Sequence, residues 1–170
     1  MNEILQTTVD AIAAKFNAQV EEAHGDVTLH VQNDQVVEVC RTLRDEYGFD
    51  TMPLETSVDY CPAKSPRFHV VYGFYSTKTH LYLFMRAPVD EANPHISTVE
   101  SIYPSANWRE REIYDLMGII FDGHSDLRRL EMPPNWEGHP LRKDYPLGYE
   151  EVQFTFNFDE IDLRKPKGER

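Results

Sequence analysis

Residues 107 to 147 read NWREREIYDLMGIIFDGHSDLRRLEMPPNWEGHPLRKDYPL, and this stretch is denser in charge, aromatics, glycine and proline than either flank. It holds six basic and eight acidic residues, a local net charge of −2 in a chain whose net charge is −12. Residues 1–106 and 148–170 carry the remaining −8 and −2. A near balance of opposite charges inside an acidic protein indicates specific ion pairs, which could serve a reaction, the fold or a partner.

The composition fits one globular domain, with 170 residues and a hydrophobic content of 41%. No apolar run approaches the roughly 20 residues that a membrane-spanning helix requires, and the N-terminus lacks the basic region and cleavage site of a secretory signal. A net charge of −12 argues against nucleic acid or a bare anionic membrane as a partner. Cys40 and Cys61 are too few for a self-contained zinc or iron–sulfur site, and two buried thiols are expected.

Hydrophobic periodicity predicts two helices and one strand in the N-terminal part of the chain. An amphipathic helix is expected over residues 3–16, and residues 27–31 alternate between apolar and polar side chains as a half-buried strand does. Asp34 is expected to cap a second helix that stops at Gly48.

Three strand-like runs follow. In the first, the side chains expected to face the core are Leu54, Thr56, Val58 and Tyr60. The second and third, Arg67 to Tyr75 and His80 to Arg86, are apolar on both faces and predict an antiparallel hairpin in the middle of a sheet. A short helix is expected from Ser97 or Thr98 to near Pro104. This order of elements predicts an α+β fold, with a mostly antiparallel sheet and helices packed on one face.

The periodic pattern dissolves after Tyr149. Three phenylalanines at the alternate positions 154, 156 and 158 form an apolar edge that nothing downstream would cover. This segment is either a last strand of the sheet or, as we favour, an extended arm that lies on another protein, with a mobile basic end. We therefore divide the chain into a domain of residues 1–147 and a C-terminal arm of residues 148–170.

The first part of the central stretch predicts a helix. Asn107 suits its N-cap with Glu110 at N3, close to a capping box, and Gly118 stands where a C′ glycine ends a helix. Two pairs of opposite charge are spaced to close along it, Arg109–Glu112 and Arg111–Asp115. Because an exposed pair contributes only a few tenths of a kcal/mol, so dense a set of charges favours a function at an interface. The alternative is a solvated charged helix.

The second part of the stretch offers a catalytic interpretation and a structural one. The catalytic one takes His124 as general base, Asp126 as its orienter and Arg128 and Arg129 as an anion clamp. We favour the structural one, in which His124 bonds backbone in a turn and the arginines bridge to carboxylates. No phosphate loop, GxSxG or HExxH motif supports catalysis. Trp136, on a loop stiffened by proline, is either a core residue or an anchor for a partner.

These motifs together resemble the family of the hydrophilic C subunit of the proton-pumping NADH:quinone oxidoreductase, complex I. The residues that carry the resemblance are Glu110-Arg111-Glu112, Asp115-Leu116-Met117-Gly118, Phe121-Asp122-Gly123-His124, Asp126-Leu127-Arg128-Arg129, Trp136-Glu137-Gly138 and Pro140-Leu141-Arg142-Lys143-Asp144-Tyr145-Pro146-Leu147. The resemblance is close over residues 100–147 and looser over 51–95. It departs at Glu131, where the family tends to place an apolar residue.

The resemblance implies an accessory structural subunit of the hydrophilic arm, without catalytic residues, cofactor or metal of its own. The complex passes electrons from NADH through FMN and iron–sulfur clusters in neighbouring subunits to quinone, and it translocates protons. The large quinone-chamber subunit and the cluster-bearing subunits would be the partners, on the cytoplasmic side of the bacterial inner membrane. The residues implied in the scaffold and in docking are Glu110, Arg111, Glu112, Asp115, His124, Arg128, Arg129, Trp136, Arg142, Lys143 and Asp144.

Three alternatives stay open at this point. The equivalent subunit of a related membrane-bound hydrogenase, or of a ferredoxin- or F420-linked dehydrogenase, would share the module. A free-standing acid–base enzyme would use Glu110, Glu112 or Asp115 together with His124. A sheet-based RNA binder has the aromatic strands in its favour and the net charge against it.

Overall fold

The computed structural model describes residues 3–63 and 65–146, which form three α-helices, a short 3-10 helix and seven strands. The helices are α1 (Glu3–Phe16), the 3-10 helix (Asn33–Gln35), α2 (Val36–Asp45) and α3 (Ala106–Met117). The strands are β1 (Gln19–Ala23), β2 (Asp26–His30), β3 (Thr51–Asp59), β4 (Phe68–Tyr75), β5 (Tyr82–Val89), β6 (His95–Ser97) and β7 (Ile120–Asp122). The first helix occupies the predicted range because its apolar side chains recur at helical spacing.

The main sheet has five strands in the order β1-β2-β5-β4-β3. Three of its four pairings are antiparallel and one, between β2 and β5, is parallel. The strands β6 and β7 form a separate parallel pair. The predicted α+β fold with a mostly antiparallel sheet and packed helices is thus confirmed, including the β4–β5 hairpin.

The hydrophobic core joins residues of all three α-helices to residues of the main sheet. Seven of the eight residues of β4 are buried, as expected for a strand covered on both faces. The strand β5 instead alternates between buried and more accessible positions, so the prediction that it is buried on both faces was wrong. Tyr103 closes the core, since its hydroxyl donates 2.8 Å to the carbonyl of Phe49 and its ring lies 5.6 Å from that of Phe74.

The strand β3 is present, but the predicted face is reversed. Glu55 and Asp59 are buried, whereas Leu54 keeps 36% of its surface exposed. In the register, Glu55 lies opposite Tyr72 and Asp59 opposite Phe68, so the acidic side chains stand on the core face of the sheet. A register shift between Thr51 and Leu54 interrupts the alternation before this point.

Local signals also misplaced two helix starts. The side chain of Asp34 does not cap α2, because a 3-10 turn occupies residues 33–35 and the helix begins at Val36 without a side-chain cap. The predicted helix from residue 97 to 104 is wrong as well: after β6 the chain runs through turns to α3. The exposed edge strand β1 was not predicted, since none of its five residues is buried and its sequence shows no alternation.

Three further predictions concern the two thiols, membrane-spanning helices and the C-terminal arm. Cys40 is buried as expected, but Cys61 is only half-buried, so the expectation of two buried thiols holds for one of them. No helix in the described part of the chain is long and apolar enough to cross a membrane. The predicted C-terminal arm, with Phe154, Phe156 and Phe158, lies outside the described residues.

Candidate functional site

The helix α3 begins two residues earlier than predicted and is not held by a capping box. Ser105 stands at the N-cap without a side-chain bond to the helix, and its hydroxyl donates 3.1 Å to the carbonyl of Met52 on β3. Asn107 instead donates from its side chain to Glu100, at 2.6 Å. Gly118 ends the helix in the left-handed conformation, as predicted. The helix is thus anchored at its start by contacts to other segments.

The side chain of Glu110 stabilises the turn before α3 and not the helix itself. Its fully buried carboxylate accepts hydrogen bonds from the Thr98 hydroxyl at 2.5 Å and from the Val99 amide at 2.8 Å. Burial raises the pKa of Glu110, while these two hydrogen bonds oppose the rise. The side chain therefore holds residues 98–99 where a helix had been predicted.

Asp115 forms the centre of the site. Its buried carboxylate accepts hydrogen bonds from the amides of three successive residues, 130, 131 and 132, at 3.0, 2.7 and 2.8 Å. Arg129 adds an ion pair at 2.7 Å. Burial alone would raise the pKa of Asp115, but the amides and Arg129 prevail and lower it. Because Arg129 takes this place, the predicted Arg111–Asp115 pair was wrong.

Arg111 is turned toward backbone instead. It donates to the carbonyls of Arg128 at 3.2 Å and Arg129 at 3.4 Å, and it lies 4.8 Å from the ring of Trp108. The predicted Arg109–Glu112 pair was also wrong, since no ion pair joins these two residues in the part of the chain that the structure describes. Glu112 is exposed to solvent. The charged side chains of α3 therefore bind other segments of the chain and do not pair with one another along the helix.

His124 makes hydrogen bonds to backbone, which the structural interpretation predicts. Its Nε2 donates to the carbonyl of Asn107 at 3.0 Å, and its Nδ1 accepts from the amide of Asp126 at 2.9 Å. The carboxylate of Asp126 does not orient the imidazole, because it binds Arg128 at 2.7 Å. Both ring nitrogens thus bind backbone, and Nε2 also lies 3.8 Å from the carboxylate of Glu110.

The loop after Arg129 folds back over the end of α3. Arg129 donates to the carbonyls of Trp136 at 3.0 Å and Gly138 at 3.2 Å, and His139 donates to the carbonyl of Asp115 at 2.9 Å. Trp136 is half-buried. A Cβ added at Gly118 would lie 2.5 Å from the His139 ring, so only glycine permits this approach. These contacts hold the loop in a fixed conformation on the end of α3.

A second cluster, which the sequence did not reveal, surrounds Arg67. This buried arginine binds Asp59 through two nitrogens at 2.9 and 2.8 Å, Asp144 at 3.0 and 2.7 Å, and Glu91 at 2.5 Å. The amide of Lys143 also donates to Asp59, at 2.9 Å. Burial of Asp59 is outweighed by its bonds to Arg67 and to two amides, so its pKa falls to about 2.

Arg142 joins the two clusters. It donates to the carbonyl of Met117 at 2.7 Å, and its guanidinium lies 5.1 Å from the ring of Phe68 on β4. Residues 142–144 are therefore tied both to the end of α3 and to the sheet. A sequence signal did exist for this contact, since the Arg67 strand and the 142–144 motif both belong to the stretches that resemble the same family, but their pairing could not be deduced from spacing.

An isolated carboxyl lies in the core near α3. Glu55 is buried, and no described residue offers a hydrogen bond to either of its oxygens or to the Tyr72 hydroxyl. Burial raises the pKa of Glu55 well above its ordinary value, the negative charge of Glu110 raises it further, and Arg109 opposes the rise. The folded protein therefore favours the neutral form of this side chain.

We expect Glu55→Gln to make stability less dependent on pH. Because the pKa of Glu55 is higher in the folded than in the unfolded chain, its contribution is complete below the unfolded value of about 4.3 and is lost as the pH rises, by at most about 1.4 kcal/mol per pH unit. The free energy of unfolding of the variant should therefore rise relative to that of the wild type from pH 5 to pH 8. Urea unfolding across this range measures it, with Glu112→Gln as the exposed control. A constant difference at every pH would contradict a neutral buried carboxyl.

The described residues form an open cleft beside α3 but no group that could hold a metal ion. Within residues 3–63 and 65–146, no group of three His, Cys, Asp or Glu side chains is arranged to hold a metal ion. An open cleft of about 430 Å³ lies between α3 and the segment that follows His124. It is lined by Arg111, Tyr114, Leu127, Arg128, Arg129 and Pro134. Of the predicted site residues, the structure brings Arg111, Arg128 and Arg129 together at this cleft.

The comparison with known families covers the same segments. Residues 29–151 match the model of the family described as the 30 kDa subunit of respiratory-chain NADH dehydrogenase. The chain belongs to this family. The match includes the Asp115 cluster, the Arg67 cluster and the strands β3, β4 and β5 of the main sheet, so the resemblance seen in the sequence is confirmed.

Relatives in the 30 kDa subunit family are similar over most of their length. The NADH-quinone oxidoreductase C subunit of Roseiflexus sp. (strain RS-1) is 46% identical over 85% of this chain and 84% of its own. The protein of the same name from Herpetosiphon aurantiacus is 41% identical over 94% of this chain and 95% of its own. The trypsin-resistant fragment (1–134) of Nqo5 has a TM-score of 0.67 at 30% identity, covering 73% of this chain and 99% of that fragment.

A more distant structure shares the fold alone. A chain of the membrane-bound sulfane sulfur reductase, an archaeal respiratory membrane complex, has a TM-score of 0.69 at 23% identity. It covers 85% of this chain and 87% of that chain. The fold of the 30 kDa subunit family therefore also occurs in a second respiratory complex.

Proposed function

We propose that this chain is an accessory structural subunit of the hydrophilic arm of a proton-translocating NADH:quinone oxidoreductase. The observation that carries the proposal is the network around Asp115. It uses charged residues of the signature segment, residues 107–147, to fix a loop on α3, and it leaves Arg128 and Trp108 exposed. A rigid surface with aromatic and arginine side chains is typical of an interface. Family membership supplies the complex to which such a surface would dock.

The chemistry of that complex belongs to other subunits in this proposal. Electrons pass from NADH through FMN and iron–sulfur clusters held by neighbouring subunits to quinone, coupled to proton translocation. This chain binds no cofactor of its own and contacts chiefly the large quinone-chamber subunit and the cluster-bearing subunits. It lies at the periphery, on the cytoplasmic side of the bacterial inner membrane. The names of its relatives support an oxidoreductase complex as the setting.

Purification of the tagged chain from its native membranes in mild detergent tests the proposal. Recovery with the flavin, iron–sulfur and membrane subunits of an NADH:quinone oxidoreductase would support it. Recovery with hydrogenase or sulfur-reductase subunits would assign the chain to a related type of complex, since the sulfane sulfur reductase contains a chain of the same fold. A chain that is recovered alone, at the detergent concentration that keeps the rest of the complex intact, would overturn the proposal.

Two neighbouring arginines are expected to behave differently when their charge is reversed. Arg128 is 75% exposed and, among the described residues, pairs only with the surface carboxylate of Asp126, so Arg128→Glu should leave folding unchanged and lower incorporation into the complex. Arg129 pairs with the buried Asp115, so Arg129→Glu should destabilise the isolated chain by about 3 kcal/mol or more. Thermal unfolding and quantitative mass spectrometry of the purified complex measure the two effects.

The matched control for Arg128 is Arg41→Glu, because Arg41 is an exposed arginine that pairs with the exposed Glu38 on the same helix, α2. It should change neither folding nor incorporation. Equal incorporation of the Arg41 and Arg128 variants would contradict a docking role for Arg128. Unfolding of the Arg128 variant would make that residue structural.

A further inference from the structure

The cleft beside α3 differs in charge from the rest of the molecule. Although the chain carries a net charge of −12, the described residues that line this cleft include three arginines and no acidic side chain. Its remaining walls are the ring of Tyr114, Leu127 and Pro134. The cleft therefore combines an apolar surface with positive charge, in a protein whose net negative charge repels anions.

Arg111 gives the cleft its chemical character. It is only 9% exposed, yet its guanidinium donates to two backbone carbonyls and, among the described residues, forms no ion pair with a carboxylate. The other two arginines of the cleft do have such partners, Asp115 for Arg129 and Asp126 for Arg128. A buried charge is costly unless an opposite charge lies beside it. The cleft thus presents a positive charge that the described chain leaves without a counter-ion.

Trp108 extends the same surface. Its indole is 61% exposed, and it stacks on the Arg111 guanidinium at 4.8 Å. Tryptophan and arginine are the residues most enriched among the anchors of protein interfaces. The ring shields one face of the guanidinium from water, so an anion that reached it would meet a charge already partly desolvated.

We propose that this cleft binds a segment of a neighbouring subunit that carries an aspartate or glutamate next to an apolar side chain. The carboxylate lies on Arg111 and Arg128, and the apolar side chain lies against Leu127 and Pro134. This inference rests on the proposed function, and it adds the chemistry of the partner segment. An acidic peptide fits the cleft better than a nucleic acid, because the charge of the remaining surface repels a long polyanion.

Zero-length cross-linking in the intact complex tests the proposal. Arg128→Lys keeps the charge and adds an amine, which a water-soluble carbodiimide joins to a carboxylate in direct contact. We expect a cross-linked peptide that joins position 128 to an aspartate or glutamate of another subunit. Cross-linking is done on the purified complex and the peptides are identified by mass spectrometry. Arg41→Lys, on α2, is the matched control and should give no cross-link to another subunit.

The outcomes separate this inference from the proposed function. If the chain is present in the complex but position 128 reacts only with its own Asp126, or does not react, the inference is overturned and the proposed function stands. If the wild-type chain is absent from the complex, the proposed function fails first. Arg111→Gln provides a second measurement. The variant chain should bind a complex from which this subunit has been removed with a dissociation constant about 30-fold or more above that of the wild-type chain. An unchanged constant for a folded Arg111 variant would also overturn the inference.

Discussion

Asp115→Asn is expected to lower the free energy of unfolding by about 3–5 kcal/mol, the range typical of removing one partner of a buried ion pair. The carboxylate accepts from three successive amides and from Arg129, and it is fully buried. An asparagine side chain has a single acceptor oxygen, and its NH₂ group would face donors. Arg129 would then keep a positive charge without its counter-ion.

The measurement is denaturant unfolding of the isolated chain at neutral pH, combined with hydrogen exchange at the amides of residues 130–132. These amides should lose protection in the variant because their common acceptor is weakened. Asp126→Asn is the control, since that carboxylate pairs with the exposed Arg128 and its loss should leave both measurements unchanged. A loss of less than about 1 kcal/mol for the Asp115 variant would show that the loop is held by other contacts.

The pH dependence of the same pair follows from the direction of the pKa shift. Because the pKa of Asp115 is lower in the folded than in the unfolded chain, its stabilisation is present above about pH 4 and is lost as the pH falls through the folded value. The difference between wild type and Asp115→Asn should therefore narrow below pH 4. A difference that stayed constant to pH 2 would mean that the carboxylate contributes through packing rather than charge.

Local periodicity was sufficient for those elements whose faces are set by neighbouring residues. The helix α1 was predicted because helical spacing reports directly on a buried face, and the β4–β5 hairpin was predicted because a short connection joins two apolar runs. The helix predicted over residues 97–104 failed because a distant side chain decides the conformation: Glu110 accepts from the Val99 amide, so this turn is fixed by a tertiary contact. Propensity is only a weak guide where such contacts exist.

In the candidate site, too, local signals were sufficient for the residues and not for their tertiary contacts. The residues of the signature were identified, but their partners were not, because Asp115 and Arg129 lie 14 positions apart and Arg67 and Asp144 lie 77 apart. Spacing along a helix suggested Arg111–Asp115 instead, since only pairs of this type are visible without the fold. The buried face of β3 was misread for a related reason, because the acidic Asp59 becomes a core residue only when Arg67 lies beside it.

Arg67→Met is expected to destabilise the chain by about 3–5 kcal/mol, because Asp59 would remain buried without its counter-ion. Two amides, of Cys61 and Lys143, would still donate to Asp59, but neither supplies a charge. Asp144 would lose its ion-pair partner among the described residues, so fewer contacts would hold residues 142–144 to the sheet and the Lys143 amide should exchange faster. Urea unfolding and hydrogen exchange at Lys143 measure the two consequences, with Arg41→Met as the exposed control.

A double variant distinguishes the charge of Asp59 from the packing around it. If the loss in Arg67→Met comes from an uncompensated carboxylate, adding Asp59→Leu should recover part of it, since an apolar pair in a buried position is often as stable as the ion pair. The pH dependence gives an independent measurement: the pKa of Asp59 is about 2, so the advantage of wild type over Arg67→Met should shrink between pH 4 and pH 2. Should the double variant be less stable than Arg67→Met, the two amides would be the principal partners of Asp59, and the arginine would act mainly by holding Asp144 and with it the direction in which the chain leaves the sheet.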